Sequence, residues 1–169
     1  MMKTKYKVVI FILFGLLGAQ GSWALEIGEE VPEFSLAQMG KDGTLSPQNL
    51  KGKVIYVDFW ASWCGPCRIS FPGLSALREE LHDKGFEIYA INLDENTKDA
   101  KKFLEEFKVS YPILQGYNTR APELFDLMGM PTAYLVDQKG IVQWKHSGFK
   151  EKDLSKIKEK ILEMINSES

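Results

Sequence analysis

DFWASWCGPC, residues 58–67, contains both cysteines of a 169-residue chain, Cys64 and Cys67. The stretch ends a run, KVIYVDFWA (residues 53–61), rich in β-branched and aromatic residues. Such a composition is that of a central strand. Asp58 interrupts it with an acid. Downstream the period changes: Ile69, Leu74, Leu77 and Leu81 recur at helical spacing, and Gly85 closes the run. Cys64 therefore stands where a strand passes into a helix. Pro66 suits a first helical turn, where its missing N–H costs little, and Pro72 is expected to kink the helix.

The remaining elements follow outward from this junction. FEIYAINLD (86–94) reads as a second buried strand. TKDAKKFLEEF (97–107) reads as an amphipathic helix with Thr97 as its cap. A short extended piece and a short helix near Pro122–Met128 come next. PTAYLVD and GIVQWKHSG, joined at QKG, form an antiparallel hairpin. A final helix is apolar at Leu154, Ile157, Ile161, Leu162 and Ile165. Turn signals at Gly40, Asp42-Gly43 and Gly52 place a short hairpin before Lys53. The order predicts an α/β fold: a central mixed β-sheet flanked by helices on both faces, with an N-terminal hairpin extension.

The first residues stand apart. MMKTKYK carries three lysines and no acid, and Val8–Ala19 is apolar throughout. Ser22 and Ala24 supply the small residues that a signal peptidase reads. Residues 1–24 are thus expected to be a cleaved signal peptide, with an uncleaved membrane anchor as the alternative. Residues 25–169 are enough for one domain. Loss of the three lysines moves the formal charge from −2 to −5. A mildly acidic domain without a basic patch argues against nucleic acid as a partner. In an exported protein a cysteine pair meets oxidising conditions.

Three chemistries compete for the cysteines. A structural clip closing so small a loop removes little unfolded-chain entropy. A zinc site would need His82 and His146, which lack the paired spacing of a compact site; both read as surface or sheet-edge residues, and no metal is expected. A catalytic dithiol fits best. Unpaired amides at a helix start favour a Cys64 thiolate. Cys67, three residues on, lies on the same side of the helix and within reach. Cys64 then attacks a partner disulfide and Cys67 resolves the mixed disulfide. Arg68 reads as a solvated helix residue. An unpaired carboxyl in a central strand should have a raised pKa. Six residues from Cys64, Asp58 is placed to take the Cys67 proton.

VDFWASWCGPC together with GMPTAYLVD resembles the thioredoxin superfamily. IGEEVPEFSL, LKGKVIYVDFWASWCGPC and INLDENTKDAKKFLEEF resemble its exported TlpA/ResA-type branch more narrowly. The resemblance covers nearly all of residues 26–165. It implies a thioredoxin-like fold and a cis Pro131, with Met130 offering its backbone to an extended substrate. Trp63 is then a rim residue beside Cys64. The resemblance implies a proton-accepting role for Asp58. In many members of the branch the resemblance instead implies a glutamate after the next strand, a position near Glu95; Asp58 is the favoured candidate of the two. The Gly-Pro pair implies a reductant. Its expected partners are disulfide-containing exported proteins, such as apocytochrome c or copper-site proteins, and a membrane thiol transporter as electron donor. A monomer without a cofactor is expected. Two other functions compete. A copper(I) chaperone would use the same dithiol, with Met128 and Met130 nearby but read as packing residues. A peroxiredoxin-like peroxidase wants Thr or Ser where Ala61 stands.

Overall fold

A computed structural model describes residues 25–167; the expected signal segment, residues 1–24, lies outside the described residues. A two-stranded hairpin, β1 (Leu36–Ala37) and β2 (Thr44–Leu45), precedes the main sheet. The sheet contains β3 (Val54–Trp60), β4 (Phe86–Asn92), β5 (Ile113–Gln115), β6 (Thr132–Val136) and β7 (Val142–Ser147). Its order is β5-β4-β3-β6-β7. β4 runs parallel to β3 and β5, whereas β6 is antiparallel to β3 and β7. This is the mixed sheet expected from the sequence, with β3 at its centre.

The helices are α1 (Gly65–Leu81), α2 (Thr97–Glu106), the short α3 (Ala121–Leu124) and α4 (Asp153–Asn166). The crossovers β3–α1–β4 and β4–α2–β5 step the same way across the sheet. Right-handed connection therefore puts α1 and α2 on one face. α4 joins them there through Ile157 and Ile161. The opposite face is covered by Leu25, Val31, Phe34, Leu36 and Leu50 and by Ala121 and Phe125 around α3. Every residue of β3 is buried as a result. Its side chains alternate between two cores, as a strand requires. Val54, Tyr56 and Trp60 face α1 and α4, while Ile55, Val57 and Phe59 face the other way. Trp60 lies against Phe71 and Phe103, at 4.7 and 4.9 Å between ring centres. Phe59 meets Phe125 at 5.1 Å on the far side.

The N-terminal segment also touches both sheet edges. Glu30 bridges to Ile141 at the start of β7, and Gln38 bridges to Leu114 of β5. Covered edges offer fewer unpaired groups to other chains.

Three local expectations change. Ile69 is 49% exposed, and the buried stripe of α1 runs instead through Cys67, Ser70, Phe71, Leu74, Leu77 and Leu81. At about 100° per residue, Ile69 sits roughly 160° from Phe71, on the opposite side of the helix. Asn96, not Thr97, caps α2, its side chain accepting from Lys98 N at 3.1 Å. The helix near Pro122 is limited to Ala121–Leu124. Gly85 ends the α1 segment as expected, in a left-handed conformation at φ 91°.

Gly116 follows β5, and its N–H donates to Asn92 O at 2.8 Å. A Cβ there would lie 2.4 Å from Ile91 Cγ2 and 3.2 Å from Asn92 O. Gly116→Ala is expected to lower stability by about 1–3 kcal/mol through overpacking. Chemical denaturation of the two proteins measures this, and equal midpoints would contradict it.

Candidate active site

β3 ends at Trp60, and the chain turns through Ala61–Trp63 into α1. Cys64 is the N-cap of that helix, and its Sγ accepts from Cys67 N at 3.3 Å. The cysteines form a disulfide with Cα atoms 5.3 Å apart. Cys64 is 5% exposed and Cys67 is fully buried. An incoming thiolate or disulfide therefore meets Cys64 first. The donor that caps Cys64 Sγ, with the positive end of the helix, favours a thiolate there once the bond is reduced.

Asp58 shares the β3 face of Tyr56 and Trp60, the face on which Cys64 and Cys67 pack. It is 2% exposed, and its Oδ2 has no hydrogen-bond partner. Burial pushes its carboxyl up to about 8. In the disulfide state and at neutral pH, the group is therefore mostly protonated. It sits on the sheet face against which the buried cysteine packs.

Glu95 lies exposed in the bend before α2. The buried acid of that loop is its neighbour Asp94, 3% exposed. The Asp94 carboxylate accepts from Ser62 N at 3.0 Å and from Ser62 Oγ at 2.8 Å. It also accepts from Asn92 Nδ2 at 2.7 Å. Leu93 N donates to Trp60 O at 2.9 Å, so the β4 loop holds the dithiol loop from two directions. Sequence reasoning passed over Asp94. The available signal was an acid two residues past the end of a buried strand, with the polar Asn92 as that strand's last residue.

Thr132 pairs with Phe59 at the sheet end where β3 delivers the cysteines. The Met130–Pro131 peptide is cis and sits at that same end. Thr132 Oγ1 donates to Gly129 O at 2.8 Å, and Gly148 N donates to Pro131 O at 2.8 Å, ordering this loop. Met130 is partly buried and packs against both cores. Trp63 is 70% exposed beside Cys64. Met128 is 88% exposed and so is not a packing residue. Arg68, expected to be merely solvated, pairs with Glu106 and lies over the Phe103 and Phe107 rings at 5.1 and 4.9 Å.

The histidines do not join the cysteines. His82 follows the end of α1, about 22 Å along the helix axis from Cys67, and sits with Arg78 and Glu87. His146 lies on β7 beside Asp153, with Nε2 3.7 Å from Oδ2. The four residues weighed as zinc ligands are thus not brought together.

A cysteine that caps a helix, a buried second cysteine bonded to it, and a cis-proline loop at the same sheet end define a thiol-disulfide oxidoreductase of thioredoxin-like fold. Residues 26–161 match the family model described as Redoxin, and the chain belongs to the Redoxin family. It is 30% identical over 154 residues to thiol-disulfide oxidoreductase ResA of Bacillus cereus, covering 86% of this chain and 88% of that protein. Identity to ResA of Oceanobacillus iheyensis is also 30%, over 120 residues, spanning 69% of this chain and 62% of the relative's length. The crystal structure of a protein assigned as thiol:disulfide interchange protein DsbE, from Chlorobium tepidum, superposes with a TM-score of 0.80. The two are 36% identical, over 85% of this chain and 100% of that one. The protein is thus a thiol-disulfide oxidoreductase of the ResA and DsbE type, with Cys64–Cys67 as its CXXC pair.

Asp58 has a measurable effect on stability. Its folded pKa, about 8, lies above the usual 3.8. The folded chain therefore holds this proton more tightly than the unfolded chain. Stability is lost as pH rises from about 4 to about 8, with no further loss from this group above that. Four units at about 1.4 kcal/mol each amount to roughly 5–6 kcal/mol. Asp58→Asn is expected to remove this dependence and to be the more stable form at pH 9. Unfolding of both oxidised proteins at pH 5 and pH 9 tests it; parallel losses in the two would contradict it.

Proposed function

We propose that the protein works outside the cytoplasm as a reductant of disulfides in exported proteins. Cys64 attacks, Cys67 resolves and Asp58 carries the proton. The observation that supports the direction is the small number of groups placed to stabilise a Cys64 thiolate. Its Sγ accepts a single backbone N–H, from Cys67. The adjacent cation, Arg68, is compensated by Glu106. A thiolate that is weakly stabilised gives up its electrons more readily than one in a strongly cationic site.

In the forward direction the reduced protein begins with a Cys64 thiolate and a Cys67 thiol. The thiolate attacks one sulfur of the partner disulfide and expels the other as a thiolate. A mixed disulfide joins Cys64 to the partner. Ionised Asp58 takes the proton from Cys67. The Cys67 thiolate attacks Cys64 Sγ and releases the second partner sulfur as a thiolate. Two electrons have passed to the partner, and Cys64–Cys67 is again a disulfide. Re-reduction runs the other way. A donor thiolate attacks Cys64 Sγ and breaks the Cys64–Cys67 bond, and the protonated Asp58 delivers its proton to the departing Cys67 sulfur. The donor's second thiolate then attacks the donor sulfur of the mixed disulfide, which releases Cys64 as a thiolate and leaves the donor as a disulfide. The near-neutral pKa of Asp58 suits both halves of this cycle, since neither protonation state is costly to reach.

The proposed substrates are exported proteins whose cysteines must be reduced before a metal or haem is attached, as in apocytochrome c or copper-site proteins. A membrane thiol transporter is the proposed donor. The export signal read in residues 1–24 supports this location. Trp63, next to Cys64 in the chain, and Met128, in the loop before cis-Pro131, are exposed apolar side chains open to a partially unfolded partner.

Equilibration of the Cys64–Cys67 couple with defined thiol buffers tests the direction. A reduction potential near or below about −250 mV is expected. A value above about −180 mV would make the protein an oxidant or isomerase and overturn the proposal.

A further inference from the structure

Cys64 is carried by a tight turn. Its N–H donates to Ala61 O at 3.1 Å, so Ser62 and Trp63 are the two central residues. The turn begins one residue past β3 and ends at the cap of α1. Trp63 is 70% exposed, which leaves Ser62 as the residue through which the turn is gripped.

The grip comes from Asp94. Both of its carboxyl oxygens lie within 3.2 Å of Ser62 N, and Oδ1 also accepts from Ser62 Oγ. Oδ2 accepts from Asn92 Nδ2, and Asn92 Oδ1 accepts in return from Asp94 N at 3.2 Å. Asn92 and Asp94 are 2% and 3% exposed. Asn92 is the last residue of β4, so the sheet itself aims the acid. These donors are all neutral, and the carboxyl only accepts, as an ionised one does. A buried negative charge is therefore held against Ser62, two residues before Cys64.

We propose that Asp94 is a positioning residue for the redox step: through Ser62 it holds the Cys64 turn in one place and so keeps the reduction potential of the dithiol low. The inference deepens the reading of the protein as a reductant and rests on it. Oxidation joins Cys64 Sγ to Cys67 Sγ, and two electrons leave for the acceptor with the thiol protons. A loose turn has to be immobilised each time that bond forms. A turn already held in the reduced protein has lost that freedom beforehand, so the bond closes more readily. The second effect is electrostatic. A carboxylate beside the turn opposes a Cys64 thiolate, which exists in the reduced state and not in the disulfide. Both effects favour the disulfide, and a couple that favours its disulfide is the stronger reductant. The task differs from that of Asp58: Asp58 exchanges a proton with Cys67, whereas Asp94 exchanges none and acts through Ser62.

The test is equilibration of the wild-type protein, Asp94→Asn and Ser62→Ala with the dithiol and cyclic disulfide forms of dithiothreitol. Two electrons and two protons pass between the two couples. Asp94→Asn keeps the shape of the side chain, removes its charge and puts an NH2 group where an oxygen now accepts. Its couple is expected to be about tenfold easier to reduce, a rise of about 30 mV. Ser62→Ala removes only the hydroxyl donor. It is expected to shift the same way by a smaller factor, and it carries the test alone if Asp94→Asn does not fold. A purely structural Asp94 would lower the melting temperature of the variants and leave their potentials at the wild-type value. That result, or a fall in potential, would overturn the inference and leave the reductant reading in place. A wild-type potential above about −180 mV would instead remove the reductant reading, whatever the variants do.

Discussion

A carboxyl with an unpaired oxygen in the middle strand of a doubly covered sheet is the constraint around which this molecule is arranged. Asp58 occupies a position where an apolar residue would pack at no electrostatic cost. The rest of β3 is aliphatic and aromatic, and both of its faces are closed by side chains from other elements. The dryness that makes the acid expensive also raises its pKa into the range where thiols exchange protons. Stability and proton chemistry are therefore set by the same burial.

The dithiol depends on that strand in a second way. β3 carries the chain to Trp60, and the next four residues must place Cys64 at the first turn of α1. Asp94 and Leu93 hold this short connection by bonds to Ser62 and to the Trp60 carbonyl. Trp60 packs on Phe71 of α1 and Phe103 of α2, which also touch each other. The capped cysteine, the buried cysteine and the acid are thus referred to one rigid strand end, as a site requires if its geometry is to persist through oxidation and reduction. The cis-proline loop leads into β6 at the same end, immediately before Thr132, the partner of Phe59.

Much of this was legible in residues 53–92, because there the local pattern and the tertiary environment agree. The β-branched and aromatic run of β3, the glycine stop after α1 and the apolar run of β4 each have a direct physical cause in the sequence. Where environment overrides pattern, the reading slipped. Ile69 looked like part of the buried stripe, but Ser70 and Phe71 face the sheet instead. Met128 looked like packing and is exposed, because the loop before cis-Pro131 carries it away from both cores. Attention in the loop after β4 fell on Glu95, whereas burial and hydrogen bonds belong to Asp94. Which of two adjacent acids turns inward depends on the partner that receives it, here Ser62, thirty-two residues away.

The central claim is a division of labour between an accessible attacking sulfur and a buried resolving one. Trapping tests it most directly. Cys67→Ser and Cys64→Ser, each reduced and mixed with a disulfide-bonded protein, would be examined by non-reducing electrophoresis and peptide mass mapping. The account predicts a stable mixed disulfide through Cys64 in the Cys67→Ser protein and none in the Cys64→Ser protein. An adduct carried by Cys67, or equal trapping by both variants, would contradict it.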